Sequence, residues 1–259
     1  MEVAYASLRL YFLKLSAEML TRTATKEDQV ETRLGPEQST GRHYEARRII
    51  QSVRCAARIS PCAALTFDDG PDPSWTPRIL EALDRVGVCA TFFVIAPLAL
   101  QHRQLVSDTL AAGHEVEFHC TEHVRHSRRE RREVEADTHE GLQALQSLGI
   151  EPRLWRPPWG VCAPWTQEVA KEFGLRLASW SVDTKDWRGD TVPEMLGRIE
   201  PLLGQGSVVL MHDGLGPGAR RTGCAQTVAL LGPLVTRLRE LGCEPTPLGV
   251  AIGEQRVGE

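Results

Sequence analysis

From Cys62 onward, short apolar runs alternate with longer amphipathic stretches. Ala63-Ala64-Leu65 followed by Phe67 reads as a short buried strand, which Gly70-Pro71 stops abruptly. Pro77 suits the first turn of a helix with Ile79, Leu80, Leu83 and Val86 as its inner stripe, and Gly87 ends it. Cys89 to Ile95 predicts a buried strand, Arg103 to Ala112 a helix closed by Gly113, and Glu115 to Phe118 a further strand. Ser127 with Glu130 resembles a capping box opening a long helix that runs to Leu148, before Gly149. A helix from Pro164 to Phe173, a strand from Arg176 to Val182 and a helix capped by Thr191 and reaching Leu203 follow. Ser207 to Met211 predicts another strand, Ala225 to Leu241 the last helix, and Thr246 to Ala251 a closing strand. About seven β-α units of this kind favour a parallel sheet, opened as a doubly wound layer or closed as a barrel. Reactive side chains recur just after the strands, where a barrel gathers its chemistry, and this favours the barrel.

Residues 1–60 read differently. Leu8, Leu10, Phe12, Leu13, Leu15, Met19 and Leu20 can form one helical stripe, Thr21 to Arg42 is polar and charged, and Tyr44 to Ala57 suits a second short helix. The expected organisation is a mainly helical N-terminal extension and linker over 1–60, an irregular (β/α) barrel over 61–252 and a tail over 253–259. With 259 residues the chain can bury a substantial core, and 42% apolar with 25% charged residues is ordinary globular usage. A formal charge of −4 gives no support to nucleic acid or an anionic membrane as the main partner. Seven cysteines without a C-x-x-C pair suit a reducing compartment. Arg9, Lys14 and Glu18 interrupt the apolar N-terminal stretch, and no run approaches the ~18 residues of a membrane span. The expectation is a cytoplasmic protein without stable membrane insertion.

Asp68 and Asp69 are adjacent carboxylates at a strand end, either an acidic surface turn or a pair kept ionised by a cation or base partner. His119 and His123 are spaced to share one face of a helical turn. They are surface residues or, with a carboxylate from Asp69, ligands of a zinc-type site. His126 reads as solvated and His114 as structural at a strand start. Trp155-Arg156-Pro157-Pro158-Trp159-Gly160 is a Pro-rich turn with its Arg in solvent, or a rigid segment in which Arg156 tethers a carboxylate by a forked bond beside Trp159 as a pocket wall. Polar groups again follow an apolar strand in Ser181-Val182-Asp183-Thr184-Lys185-Asp186-Trp187, and Val208 to Met211 leads into His212. The basic run from Arg125 to Arg132, interleaved with Glu130, reads as a solvated face; a weaker reading makes it a contact for an anionic sugar.

In this order the segments resemble the five motifs of the polysaccharide deacetylases, the NodB-homology domain of carbohydrate esterase family four, over about residues 61–252. The resemblance implies Asp68 as general base, held by Arg156, and Asp69, His119 and His123 as metal ligands. It implies His212 as general acid, oriented and charged by Asp186, a backbone N–H near Trp159 as an oxyanion donor, and Trp187 and Leu210 as lining for the acetyl group. The family's cofactor is zinc or another divalent ion, with cobalt, manganese and nickel as alternatives. Two positions depart from the family pattern: Cys120 stands where a Ser or Thr usually follows the first His, and Phe118 where an Asn is frequent. The implied function is metal-dependent hydrolysis of an N-linked, or O-linked, acetyl group on an amino sugar or a related small or carrier-linked glycan. The alternatives are a related amide hydrolase with a non-sugar substrate, or an inactive glycan- or metabolite-binding protein on the same fold.

Overall fold

The computed structural model describes residues 62–253; the helices expected at Leu8 to Leu20 and Tyr44 to Ala57, the linker between them and residues 254–259 lie outside the described residues. Strand β1 (Cys62–Asp68) is buried along its whole length, as an apolar run requires of a strand covered on both faces. β2 (Thr91–Ile95) and β7 (Val208–His212) flank it in parallel and place Phe93 and His212 beside Asp68. β3 (Glu115–Cys120), β4 (Leu154–Trp155) and β5 (Arg176–Leu177) continue outward from β2, while β6 (Val182–Asp183) lies outside β7. The order β5-β4-β3-β2-β1-β7-β6 curves into a half-barrel, open between β5 and β6 among the described residues. β8 (Glu244–Pro245) adds to the start of β1.

Helices carry the crossovers that parallel strands need. They are α1 (Thr76–Val86), α2 (Ala96–Gln101), α3 (Arg103–Ala111), α4 (Arg131–Gln146), α5 (Thr166–Glu172), α6 (Val192–Ile199) and α7 (Ala225–Glu240), with α8 (Leu248–Ala251) after β8. Strand alternation sorts the core. Ala63, Leu65, Phe67, Phe92, Val94, Val209 and Met211 pack with the helices, while Ala64, Phe93, Leu154, Val208 and Leu248 fill the inner side. The same alternation turns Asp68, His119, Leu210 and His212 inward, toward the C-terminal ends of their strands.

Three local expectations are corrected, and one helix adds to those expected. The strand expected from Arg176 to Val182 is two short pieces, because Arg176 and Leu177 pair with β4 whereas Val182 and Asp183 pair with β7. The capping box belongs to Glu130 and Glu133 instead of Ser127 and Glu130, since His126–Arg128 forms a separate 3-10 turn and Glu130 has the extended backbone of an N-cap. The chain enters α2 directly from β2, with Pro97 in the first turn. The closing segment is β8 followed by helix α8, whose first N–H groups go to Thr91 Oγ1 and to the buried Glu115 carboxylate, each at 2.8 Å. Buried Glu117 does the same for β4, accepting the N–H groups of Arg153 and Leu154 at 2.8 and 2.7 Å.

Candidate active site

At the end of β1 the chain turns sharply: Asp69 has φ 74°, a left-handed conformation that Asp tolerates better than most residues. Its carboxylate sits under the loop that follows β7, and a Cβ on Gly216 would fall 2.0 Å from Asp69 Oδ2, so only glycine permits that approach. His119, inward at the end of β3, brings Nε2 to 3.3 Å from Asp69 Oδ1, and His123 brings its Nε2 to 3.2 Å. The three candidate ligand atoms lie within 4.8 Å of one another. The His pair is not on a helix, as its spacing suggested. His119 is the penultimate residue of β3 and His123 follows a bend, and the bend supplies the proximity.

This cluster fits a cation. His119 Nδ1 lies 2.5 Å from the Arg156 carbonyl, which can only accept, so the neutral ring carries its proton there and presents the Nε2 lone pair to Asp69. Among the described residues, buried Asp69 Oδ1 has no hydrogen-bond partner, and neither has His123 Nδ1. Electron-rich atoms converging at 3.2–3.3 Å without an aligned proton repel each other unless a positive charge lies between them. Burial alone would raise the Asp69 carboxyl, yet the histidines around it bring it well below the ordinary carboxylate value. Burial alone would lower His119, but Asp68 and Asp69 raise it. Two carboxylates and two imidazoles therefore draw positive charge to this spot, as protons or as an ion with the N,N,O donors that suit zinc.

Asp68 faces inward beside the cluster. Arg156, fully buried, donates from Nη1 to Asp68 Oδ1 and to Thr66 Oγ1, both at 2.8 Å, and from Nη2 to the Ser179 carbonyl at 3.2 Å. The tether is single rather than forked, because Nη1 is shared with Thr66 and Nε has no hydrogen-bond partner among the described residues. Burial lowers the Arg156 value, with the Asp68 charge opposing it. The guanidinium lies over the Phe93 ring at 4.1 Å and the Trp180 ring at 5.7 Å, which fixes its plane.

On the other flank, His212 ends β7 in register with Asp68. His212 Nδ1 lies 2.8 Å from Asp186 Oδ1. Asp186 Oδ2 accepts the His212 backbone N–H at 3.0 Å, Arg221 Nη1 at 2.8 Å and the Thr227 hydroxyl at 2.7 Å. Burial alone would raise Asp186, but the His212 charge and hydrogen bond, then Arg221 and Thr227, bring it to about 2. Burial alone would lower His212, but Asp186 chiefly, then Asp69 and Asp68, raise it to about 9. Asp213 beside it is held up to about 7 by burial, with the Thr76 hydroxyl donating at 2.5 Å.

Trp159 has φ 55°, is 38% exposed, and sets its ring 4.1 Å from that of His123 with Arg125 stacked at 4.9 Å. Leu210 is buried on the inner face, two residues before His212, and half-buried Trp187 follows Asp186. The solvated reading of His126 is wrong: it is buried, within hydrogen-bond reach of Thr166 (3.1 Å), and packs against Trp155 and Trp165. Burial, then the Arg129 charge, lowers it to about 4. His114 is structural as expected, its Nδ1 taking the Ala90 N–H at 3.0 Å. The basic run is no free cationic face. Arg129 pairs with Glu122 and Asp137, Arg131 with Glu135, Glu168 and Glu172, and Arg132 with Glu130. Sequence reasoning passed over Arg221 and Thr227; only proximity to His212 in space marks them.

Residues 57–178 match the family model described as polysaccharide deacetylase. Over 194 residues the chain is 37% identical to a chitooligosaccharide deacetylase of Bradyrhizobium sp. (strain ANU 289), spanning 71% of this chain and 87% of that protein. It is 35% identical over 181 residues to a peptidoglycan-N-acetylglucosamine deacetylase of Bacillus cereus, spanning 69% and 82%. The crystal structure of the Bc1960 peptidoglycan N-acetylglucosamine deacetylase superposes with a TM-score of 0.71 at 28% identity, over 76% of this chain and 90% of that one. With the half-barrel, the inward strand ends and these relatives in agreement, the chain belongs to the polysaccharide deacetylase family and is an amide-hydrolysing enzyme.

Proposed function

We propose that this enzyme removes the acetyl group from the nitrogen of an amino sugar, with a divalent ion held by Asp69, His119 and His123. The observation that carries this reading is the convergence of those three side chains around a partnerless buried oxygen, with Asp68 and His212 in register on adjacent strands. Two imidazoles and a carboxylate suit zinc, with cobalt, manganese or nickel as alternatives. When bound, such an ion makes a water more acidic and polarises the amide carbonyl.

Asp68 is the base. Arg156 occupies its Oδ1 and leaves Oδ2 to take the proton of the attacking water as the new C–O bond forms. The backbone N–H near Trp159 is the proposed donor to the tetrahedral oxyanion. His212, charged at neutral pH through Asp186, then gives its Nε2 proton to the amine as the C–N bond breaks, releasing acetate. Leu210 and Trp187 are the proposed apolar lining for the acetyl methyl. The names of the relatives support a glycan substrate: one acts on chitooligosaccharides, another on peptidoglycan N-acetylglucosamine.

The test is acetate release by zinc-loaded protein from N-acetylglucosamine oligomers, peptidoglycan fragments and nucleotide-linked N-acetyl sugars. Asp68→Asn should lower kcat by about 10²–10⁴-fold with glycan binding retained. Glycan binding without acetate release from any substrate by the unaltered protein would instead support an inactive binding protein.

A further inference from the structure

His119 and His123 are held in different ways. His119 lies in a strand and is oriented by its contact with the Arg156 carbonyl. His123 lies outside both helix and strand, and among the described residues its Nδ1 has no hydrogen-bond partner. Something else must fix the segment from Thr121 to His123.

That support comes from one helix. Asp137 on α4 accepts the Thr121 N–H at Oδ2 (3.1 Å) and the Glu122 N–H at Oδ1 (2.7 Å). The Thr121 hydroxyl donates back to the Asp137 carbonyl at 2.7 Å. Arg129 bridges Glu122 and Asp137 from outside. One turn further along α4, a Cβ on Gly141 would fall 2.3 Å from the Phe118 ring and 2.7 Å from Thr121 Oγ1. The helix backbone thus rests directly on the residues either side of His119, and the bulky Phe118 is accommodated because position 141 is glycine. The hydrolytic steps use neither Asp137 nor Gly141.

We infer that Asp137 is a positioning residue that sets divalent-ion affinity by latching the Thr121-Glu122 bend, and with it His123, to α4. The inference rests on the metal-centred reading above. Groups one step removed from a metal ligand alter affinity by about 10–100-fold, because they fix where the donor atom points.

The experiment is zinc titration of metal-free protein against a chromophoric chelator, with thermal melting of the same metal-free samples. The unaltered protein should bind one zinc per chain, and Asp137→Ala should bind about tenfold more weakly or worse. Thr121→Val should also weaken zinc, while Thr121→Ser should stay within about twofold. Thr138→Ala, which loses a hydrogen bond to Val134 inside α4, should lower the melting temperature and leave zinc affinity unchanged. Zinc affinity within about twofold of the unaltered protein in a folded Asp137→Ala variant would overturn the latch. Should that variant fail to fold, equal affinities for Thr121→Val and Thr121→Ser would overturn it instead. Absence of zinc binding by the unaltered protein would remove the metal-centred reading and the latch with it.

Discussion

Asp69 and Asp186 are both buried carboxylates facing histidines at strand ends, yet one is short of partners and the other is surrounded by them. Asp186 receives the His212 ring, the His212 backbone N–H, Arg221 and Thr227. Asp69 Oδ1 faces two Nε2 atoms with no aligned proton. A buried charge persists only where something compensates it. The protein alone completes the Asp186 side; under the proposed function, the Asp69 side is completed by a cation. In the proposed reaction the proton donor is therefore preorganised, and the centre that would activate water is assembled by its ligand.

The largest effect should follow from breaking the incomplete side. His119→Ala, or stripping the ion with a chelator, should abolish zinc retention and lower kcat/KM on the order of 10³-fold. The His212 titration, followed by NMR, should persist near pH 9 under either treatment, apart from the smaller contributions of Asp68 and Asp69. Collapse of that titration toward its ordinary value would show that the two sides are not built independently.

Breaking the complete side should act through pH. The Asp186 charge holds the proton on His212, raising it to about 9, so the acid form persists well above neutrality. In Asp186→Asn that charge is gone and His212 loses its proton earlier. The basic limb of kcat/KM should then move down toward the ordinary histidine range, with kcat falling about 10²–10⁴-fold and zinc affinity unchanged. A pH profile that keeps its basic limb near 9 would take the general-acid role away from His212.

The same contrast explains which parts were legible in the sequence. β1, β2 and β7 announced themselves because strands buried on both faces are mostly apolar, whereas β3 alternates Val116 and Phe118 with buried Glu115, Glu117 and His119. β4 is only two residues long and is pinned by Glu117, and the chain after β8 is pinned by Glu115; no local pattern reports such distant carboxylates. The side chains of the Asp69 cluster were legible as motifs, although the helical reason for the His pairing was wrong. His126 was misread because Trp165 and Thr166, which bury it, come from α5 and the turn before it, far along the chain. Arg221 and Thr227 carry no spacing signal at all. A completed polar network draws partners from wherever the fold delivers them, whereas the candidate metal ligands lie at or just after the ends of β1 and β3 and so are close to recognisable strands.

The smallest effect, and the sharpest in sign, concerns Arg221. Its Nη1 meets Asp186 Oδ2, and its Nη2 donates to the carbonyls of His212 at 3.0 Å and Gly214 at 3.1 Å. The positive charge on Asp186 from this side lowers the carboxyl, and it also offsets part of the negative charge that His212 feels. Arg221→Met removes the offset while His212 and Thr227 still hold the carboxylate. His212 should therefore keep its proton to higher pH, and the basic limb should move up by less than about one unit, opposite in sign to Asp186→Asn. The loss of two carbonyl partners should lower kcat several-fold, roughly the effect of one or two hydrogen bonds, without altering zinc affinity. If the limb instead moves down, Arg221 orients Asp186 more than it screens it, and the preorganisation of the acid side depends on this guanidinium as much as on the carboxylate it holds.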